Sequence, residues 1–251
     1  MDSSDKTRTR RLVLIHGAYH GGWCWRRVTQ ILSSREVDAY TPTLTGLGQR
    51  RHLLTPETTL STHIADIVNL FEFEDLDAAV LVGHSYAGMV IAGVAEAIPE
   101  RIAHLVFLDA MVPRDGEAVF DALPEIRARE TRATVAGRRV GVITPPSPEY
   151  FGVERPADIA WVDRHLTPMP SLCYEERIRL ASAAAQEIPR TYLLCAAQPD
   201  GGLKAATEAA YERFRGADRD RRQLPGPHDI MVTHPQVLAE ALLSLLPNTP
   251  G

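Results

Sequence analysis

Apolar residues gather in short runs at 12–15, 37–40, 79–82, 105–108 and 192–196, with the length and β-branched content of strands buried on both faces of a parallel sheet, and 221–224 is read as a sixth strand run. Between these runs apolar positions recur at helical spacing, over 23–32, over 60–71 (Leu60, Ile64, Ile67, Val68 and Phe71), over 205–214 and over 235–246. Strand and helix patterns that alternate in this way predict an α/β fold, a mostly parallel sheet of about six strands with helices on both faces. The alternation lapses between Pro113 and Pro189, where Pro145, Pro146, Pro148, Pro156, Pro168 and Pro170 cluster and arginines crowd 127–139. Residues 113–189 are therefore expected to form an inserted cap, with helices at 117–132 and 174–186, above the strand ends where open α/β sheets bind ligands. The whole of 1–251 reads as one domain carrying that insertion, without repeats or a low-complexity linker.

The segment AAVLVGHSYAGMVIAGVAEAI joins the third run to a helical pattern through small residues around Ser85. A chain that leaves a buried strand and enters a helix this abruptly needs Gly83, Ala87 and Gly88, because larger side chains would strike the strand. Such a turn lifts a serine out of the sheet as a nucleophile elbow, with Ala87 standing in the last glycine position of G-x-S-x-G. The same residues also suit a tight turn carrying an inert serine.

Composition narrows the function classes. A chain of 251 residues, 45% hydrophobic, can build one sizeable core. A formal charge of -5 and a pI near 6.0 leave no basic footprint for nucleic acid, and no apolar run reaches membrane-spanning length. The polar start MDSSDKTRTRR lacks the apolar core of a secretory signal, so the expected location is the cytoplasm. Three cysteines at wide spacing, Cys24, Cys173 and Cys195, suggest neither a disulfide framework nor a zinc site, and no metal or organic cofactor is expected.

An activated serine needs a base, an acid to orient it and donors for the oxyanion. In strand–serine–helix elbows of this kind the order is serine, acid, histidine, so the base follows Ser85. His228, in the turn Pro225-Gly226-Pro227-His228-Asp229 after the last strand run, fits best, with His234 in reserve. The acid is expected after the penultimate strand run, where TYLLCAAQPDGG offers Asp200; Asp109, directly after LVFL, competes. Both carboxylates also have an ordinary turn-forming role. The oxyanion donors are expected to be the backbone amides of Tyr86, at the helix start, and of Ala18, in the glycine-rich HGAYHGG loop.

LVLIHGAYHGGWCW, PTLTGLGQRRHL, GHSYAG, LVFLDAMVP and PGPHDIMVTHP, in this order, resemble the α/β-hydrolase superfamily along nearly the whole chain, and within it the branch of plant methylesterases, hydroxynitrile lyases and related bacterial esterases. In that branch the lyases resemble a pattern with threonine after the first motif's histidine, an acidic residue before the serine and lysine after the catalytic histidine. Gly17, His84 and Asp229 stand at those places, which implies an esterase. The resemblance implies a small-molecule ester or related acyl substrate in an apolar pocket beneath the cap, lined by Tyr19, Trp23, Tyr86 and Trp161, each of which could equally be core. Two rival functions remain: a thioesterase, lactonase or cyclase using the same triad, and a non-catalytic receptor on the same scaffold. Nothing in the residues fixes the oligomeric state.

Overall fold

The computed structural model describes residues 10–135, 137–216 and 219–246; the polar start at 1–9 lies outside them. Among the described residues the strands are β1 (Arg11–Ile15), β2 (Asp38–Tyr40), β3 (Ala79–His84), β4 (Ile102–Leu108), β5 (Glu130–Val135), β6 (Arg138–Ile143), β7 (Met169–Pro170), β8 (Arg190–Cys195) and β9 (Arg219–Leu224). The helices are α1 (Arg26–Ser33), α2 (Leu60–Phe73), α3 (Ala87–Ala97), α4 (Val119–Ala122), α5 (Pro156–Asp163), α6 (Leu172–Glu175), α7 (Ala183–Gln186), α8 (Gly202–Arg213), α9 (Ile230–Thr233) and α10 (Pro235–Leu243). Six strands form one sheet in the order β2-β1-β3-β4-β8-β9, every neighbouring pair parallel. All six expected strand runs fall within this sheet or overlap it by most of their length.

The alternation of side chains along each strand divides the core in two. Val13, Ile15, Leu81, Leu105, Phe107 and Tyr192 pack on one face with residues of α2, α3 and α8. Leu12, Leu14, Val80, Val82, Val106 and Leu193 pack on the other with residues of α1 and α10. Both faces of the inner strands are thus covered, which explains why β3 is buried at every position. Strand β9 lies at the sheet's edge, where RDRRQL can direct its arginines to solvent.

Residues 113–189 lie between β4 and β8, and they do not form the two helices expected there. Pro124 follows α4 after Leu123, and a short 3-10 helix then leads into the antiparallel sheet β5-β6-β7. In place of the expected helix at 174–186, α6 stops at Glu175. The following stretch is held out of helical form by bonds from the Ile178 amide to the Glu117 carbonyl, the Leu180 amide to the Asp115 carboxylate, and the Ala181 and Ser182 amides to the Glu96 carboxylate. Long-range acceptors outweigh local helical propensity there. No helix among the described residues is long and apolar enough to cross a membrane.

Candidate active site

At the end of β3 the chain turns through Ser85 at φ +56°, a left-handed conformation uncommon for residues other than glycine, and enters α3. The turn is pinned by its neighbours: the Ser85 amide donates to the Leu108 carbonyl, and the Ser85 carbonyl accepts from the Gly88 and Met111 amides at 3.1 Å each. A side chain on Gly88 would collide with the Met111 carbonyl, and one on Gly83 would come within 2.6 Å of the Ala87 carbonyl. The small residues read from the sequence are therefore required by close backbone approach.

His228 follows β9 and is almost wholly buried, its Nδ1 lying 2.6 Å from Asp109 Oδ2. The carboxylate on the imidazole is Asp109 and not Asp200, which corrects the expectation drawn from the sequence. Asp109 stands one residue past β4, the immediate neighbour of β3, and its own φ of +46° marks a tight exit from the strand. Its other oxygen accepts from the Cys195 amide at 3.1 Å and from Gln198 Nε2 at 3.0 Å. Asp200 lies five residues beyond β8, its side chain 95% exposed and paired with Lys204 at 2.8 Å. The side chain of His234, the reserve base, bonds only its neighbour Thr233 among the described residues.

Ser85, Asp109, His228, Gly17, Ala18 and Tyr86 line one cavity. Its far walls come largely from the cap and α8, including Val119, Leu123, Ile126, Tyr150, Phe151, Tyr174, Leu203 and Ala210. Neither the Ala18 nor the Tyr86 amide donates to a protein acceptor among the described residues, so both remain free to bind a ligand oxygen. Of the aromatic residues expected in the pocket, Tyr19 and Tyr86 line it and the other two do not. Trp23 stacks behind His20 at 5.3 Å and meets Trp161 edge-on at 5.1 Å, so this pair buttresses the glycine-rich loop from outside the cavity. Sequence reasoning missed Tyr150, Phe151 and Tyr174: the first two reach the cavity from a short 3-10 turn that no periodicity marks, and Tyr174 reaches it from α6, where the longer helix expected at 174–186 does not form.

A model of the alpha/beta hydrolase family matches residues 12–241. The chain belongs to that family. A carbendazim hydrolyzing esterase of Nocardioides sp. (strain SG-4G) is 38% identical over 243 residues, covering 93% of this chain and 98% of that one. Putative methylesterase 14, chloroplastic, of Arabidopsis thaliana is 26% identical over 268 residues, 97% of this chain and 74% of its own. Among solved structures, an extracellular alpha/beta-hydrolase from a Paenibacillus species superposes with a TM-score of 0.77 at 23% identity, covering 95% of this chain and 99% of its own. Tomato methylketone synthase I in complex with 2-tridecanone also gives 0.77, at 21% identity, covering 94% and 97%. The structural likenesses establish the fold. The sequence relatives make this hydrolase a carboxylic ester hydrolase.

Burial sets the charge state of His16, His63 and His84 around the hydrolase site. His16 is pulled down to about 3 and His63 to about 4, in both cases chiefly because burial penalises the cation. Their contacts agree with neutral rings: His16 donates to the Gly17 carbonyl and accepts from the Leu44 amide, while His63 donates to the Thr45 carbonyl and accepts from the Tyr86 hydroxyl. His84 is likewise lowered by burial; its Nε2 donates to the His228 carbonyl at 3.0 Å and its Nδ1 has no partner among the described residues. These rings serve as neutral struts for the glycine-rich loop, the elbow and the His228 loop.

Proposed function

We propose that this ester hydrolase works through an acyl-enzyme, with Ser85 as nucleophile, His228 as general base and then general acid, and Asp109 as the group that orients the imidazole. The observation carrying this reading is the 2.6 Å contact between His228 Nδ1 and buried Asp109, made beside a left-handed serine in one shared cavity. A proton held on Nδ1 by Asp109 leaves Nε2 free to take the Ser85 proton as Oγ attacks the ester carbonyl. The Ala18 and Tyr86 amides receive the developing oxyanion, the Tyr86 amide aided by its place at the start of α3. The alcohol leaves with the proton returned by His228. Water, deprotonated by the same imidazole, then releases the acid.

The substrate expected from the lining is a small ester with an apolar portion, since Met89, Val119, Leu123, Ile126, Phe151 and Leu203 dominate the walls. Carbendazim, the compound named for the Nocardioides relative, belongs in a first substrate panel with simple methyl and aryl esters. Intact-mass analysis after brief fluorophosphonate treatment tests the nucleophile without knowledge of the substrate. A single adduct on the wild type, absent from Ser85→Ala and His228→Ala, is the expected result. A folded wild type that takes no adduct while hydrolysing esters would overturn it.

A further inference from the structure

Five histidines crowd the ends of the sheet strands, and one is bonded differently from the rest. His16 and His63 each face one acceptor and one donor, His84 faces a single carbonyl, and His228 gives one nitrogen to Asp109. His20 instead places Nδ1 2.8 Å from the Ala18 carbonyl and Nε2 3.1 Å from Asp229 Oδ2. A carbonyl and an ionised carboxylate can only accept, so satisfying both requires two ring protons and makes His20 an imidazolium. Its side chain is 2% exposed and that of Asp229 is not exposed at all.

The pair spans two loops that the proposed chemistry uses together. His20 lies two residues after Ala18, and Asp229 directly follows His228, although 209 positions separate the partners. Between Ala18 and His20 the backbone turns through Tyr19 at φ +66°, a conformation that persists only where surrounding bonds enforce it. The Asp229 amide in turn donates to the carbonyl of Phe151, whose ring stacks on His228 at 5.9 Å.

We propose that the buried His20–Asp229 ion pair is a positioning device, which fixes the backbone at Ala18 through its carbonyl and ties that oxyanion loop to the loop carrying His228. The inference rests on the Ser85–His228–Asp109 reading above. It also gives a role to Asp229, one of the places where the chain departs from the lyase pattern. Around the pair lie Cys24, Cys195, His16, His84 and His228 as titratable neighbours, with the rings of Trp23 and Phe151 closing its other sides. Burial draws the His20 pKa down, and the Asp229 charge with the bonds to Asp229 and Ala18 more than offsets it, so the net shift is upward. Once pH rises through that raised value, a neutral His20 has a single ring proton for two acceptors, and one anchor is lost.

The test is the pH dependence of kcat and KM for p-nitrophenyl acetate in the wild type, His20→Ala, Asp229→Ala and Asp229→Asn. His20→Ala and Asp229→Ala are expected to lose about tenfold in kcat with KM within about twofold, less than the ~10²-fold that follows outright loss of an oxyanion donor. In Asp229→Asn the introduced side-chain amide can donate to Nε2 of a neutral His20 while Nδ1–H keeps the Ala18 carbonyl. This variant should therefore recover kcat to within about threefold and lose the alkaline fall due to His20, and it decides the matter if the alanine variants fail to fold. Wild-type kcat at every pH in folded Asp229→Ala, or an Asp229→Asn as poor as Asp229→Ala, overturns the inference. Fluorophosphonate labelling run alongside separates the two failures. No label on wild-type Ser85 overturns the triad reading and the inference with it, whereas normal labelling beside an indifferent pair overturns the inference alone.

Discussion

The sheet end and the cap meet across one cavity and are built in opposite ways. At the sheet end Ser85, Asp109 and His228 each follow a parallel strand within a few residues, and buried hydrogen bonds hold them in place. Opposite them, α4 and α6 have four residues each and β7 has two, linked through short 3-10 turns, the β5–β6 hairpin and α5, with Glu117, Arg129 and Tyr150 only partly covered or exposed. On the proposed mechanism, the atoms that must be placed to a fraction of an ångström all lie on the hydrogen-bonded, rigid side. The irregular side shapes the space that a substrate fills, so substrate choice can change there without disturbing the catalytic groups.

The largest effects should come from the rigid side. Ser85→Ala is expected to lower kcat/KM by about 10⁴-fold or more, and Asp109→Asn by roughly 10³- to 10⁴-fold, with the fold retained by circular dichroism. Asp200→Asn should stay within about twofold of the wild type, because removing an exposed pair with Lys204 touches neither loop. An inactive Asp200→Asn would erase the distinction drawn between the two carboxylates.

Glycines offer the next contrast. Gly88→Ala presses a methyl group against the Met111 carbonyl at the elbow, where two bonds to the Ser85 carbonyl fix the backbone. At about 1–3 kcal/mol for overpacking, Tm should fall by roughly 2–12 °C, with a loss of kcat. Gly137 in the β5–β6 turn has φ +76° and, among the described residues, open space around it, so Gly137→Ala meets only backbone strain and should leave kcat unchanged. Equal losses of activity in the two would mean that the cap shares in placing the catalytic groups.

Shortening cap residues should sharpen the division further. Leu123→Ala and Ile126→Ala are expected to change the ratio of kcat/KM between long- and short-chain p-nitrophenyl esters by about tenfold, while the acylation rate with a small fluorophosphonate stays within about threefold. A large fall in that acylation rate would contradict a cap confined to substrate choice.

How much of this the sequence revealed follows the same boundary. The strands, the elbow at Ser85, the glycine-rich loop and His228 were legible, because buried parallel strands and tight backbone turns restrict residue type at fixed spacing. Asp109 and Asp200 were harder to rank, since each is an aspartate after a strand run and sequence does not show how far the turn carries it. Asp109 leaves its strand at once and stays at the sheet end; Asp200 is carried by four intervening residues to the surface, while Gln198 turns inward to Asp109. The cap helices were misread because the residues at 176–182 satisfy their backbone on Glu117, Asp115 and Glu96, partners remote in sequence. Trp23 and Trp161 were expected in the pocket from the family resemblance, and packing set Trp23 behind His20 with Trp161 edge-on against it.

A further effect, read as stability and not as rate, comes from the neutral histidines of the rigid side. His16, His63 and His84 have folded-state pKa values below the ordinary 6.5, so between about 4 and 6.5 the unfolded chain binds more protons than the folded one. Stability should therefore fall as pH drops through that window, with a slope of up to about 1.4 kcal/mol per pH unit for each such group. Urea midpoints at pH 7 and pH 5 would measure it.

The most direct test of the assignment at the sheet end is the second-order rate of fluorophosphonate inactivation, measured together for the wild type, Asp109→Asn and Asp200→Asn. With Asp109 orienting His228, Asp109→Asn is expected to react at least about 10³-fold more slowly while Asp200→Asn matches the wild type. Slow inactivation of a folded Asp200→Asn beside a normal Asp109→Asn would contradict it.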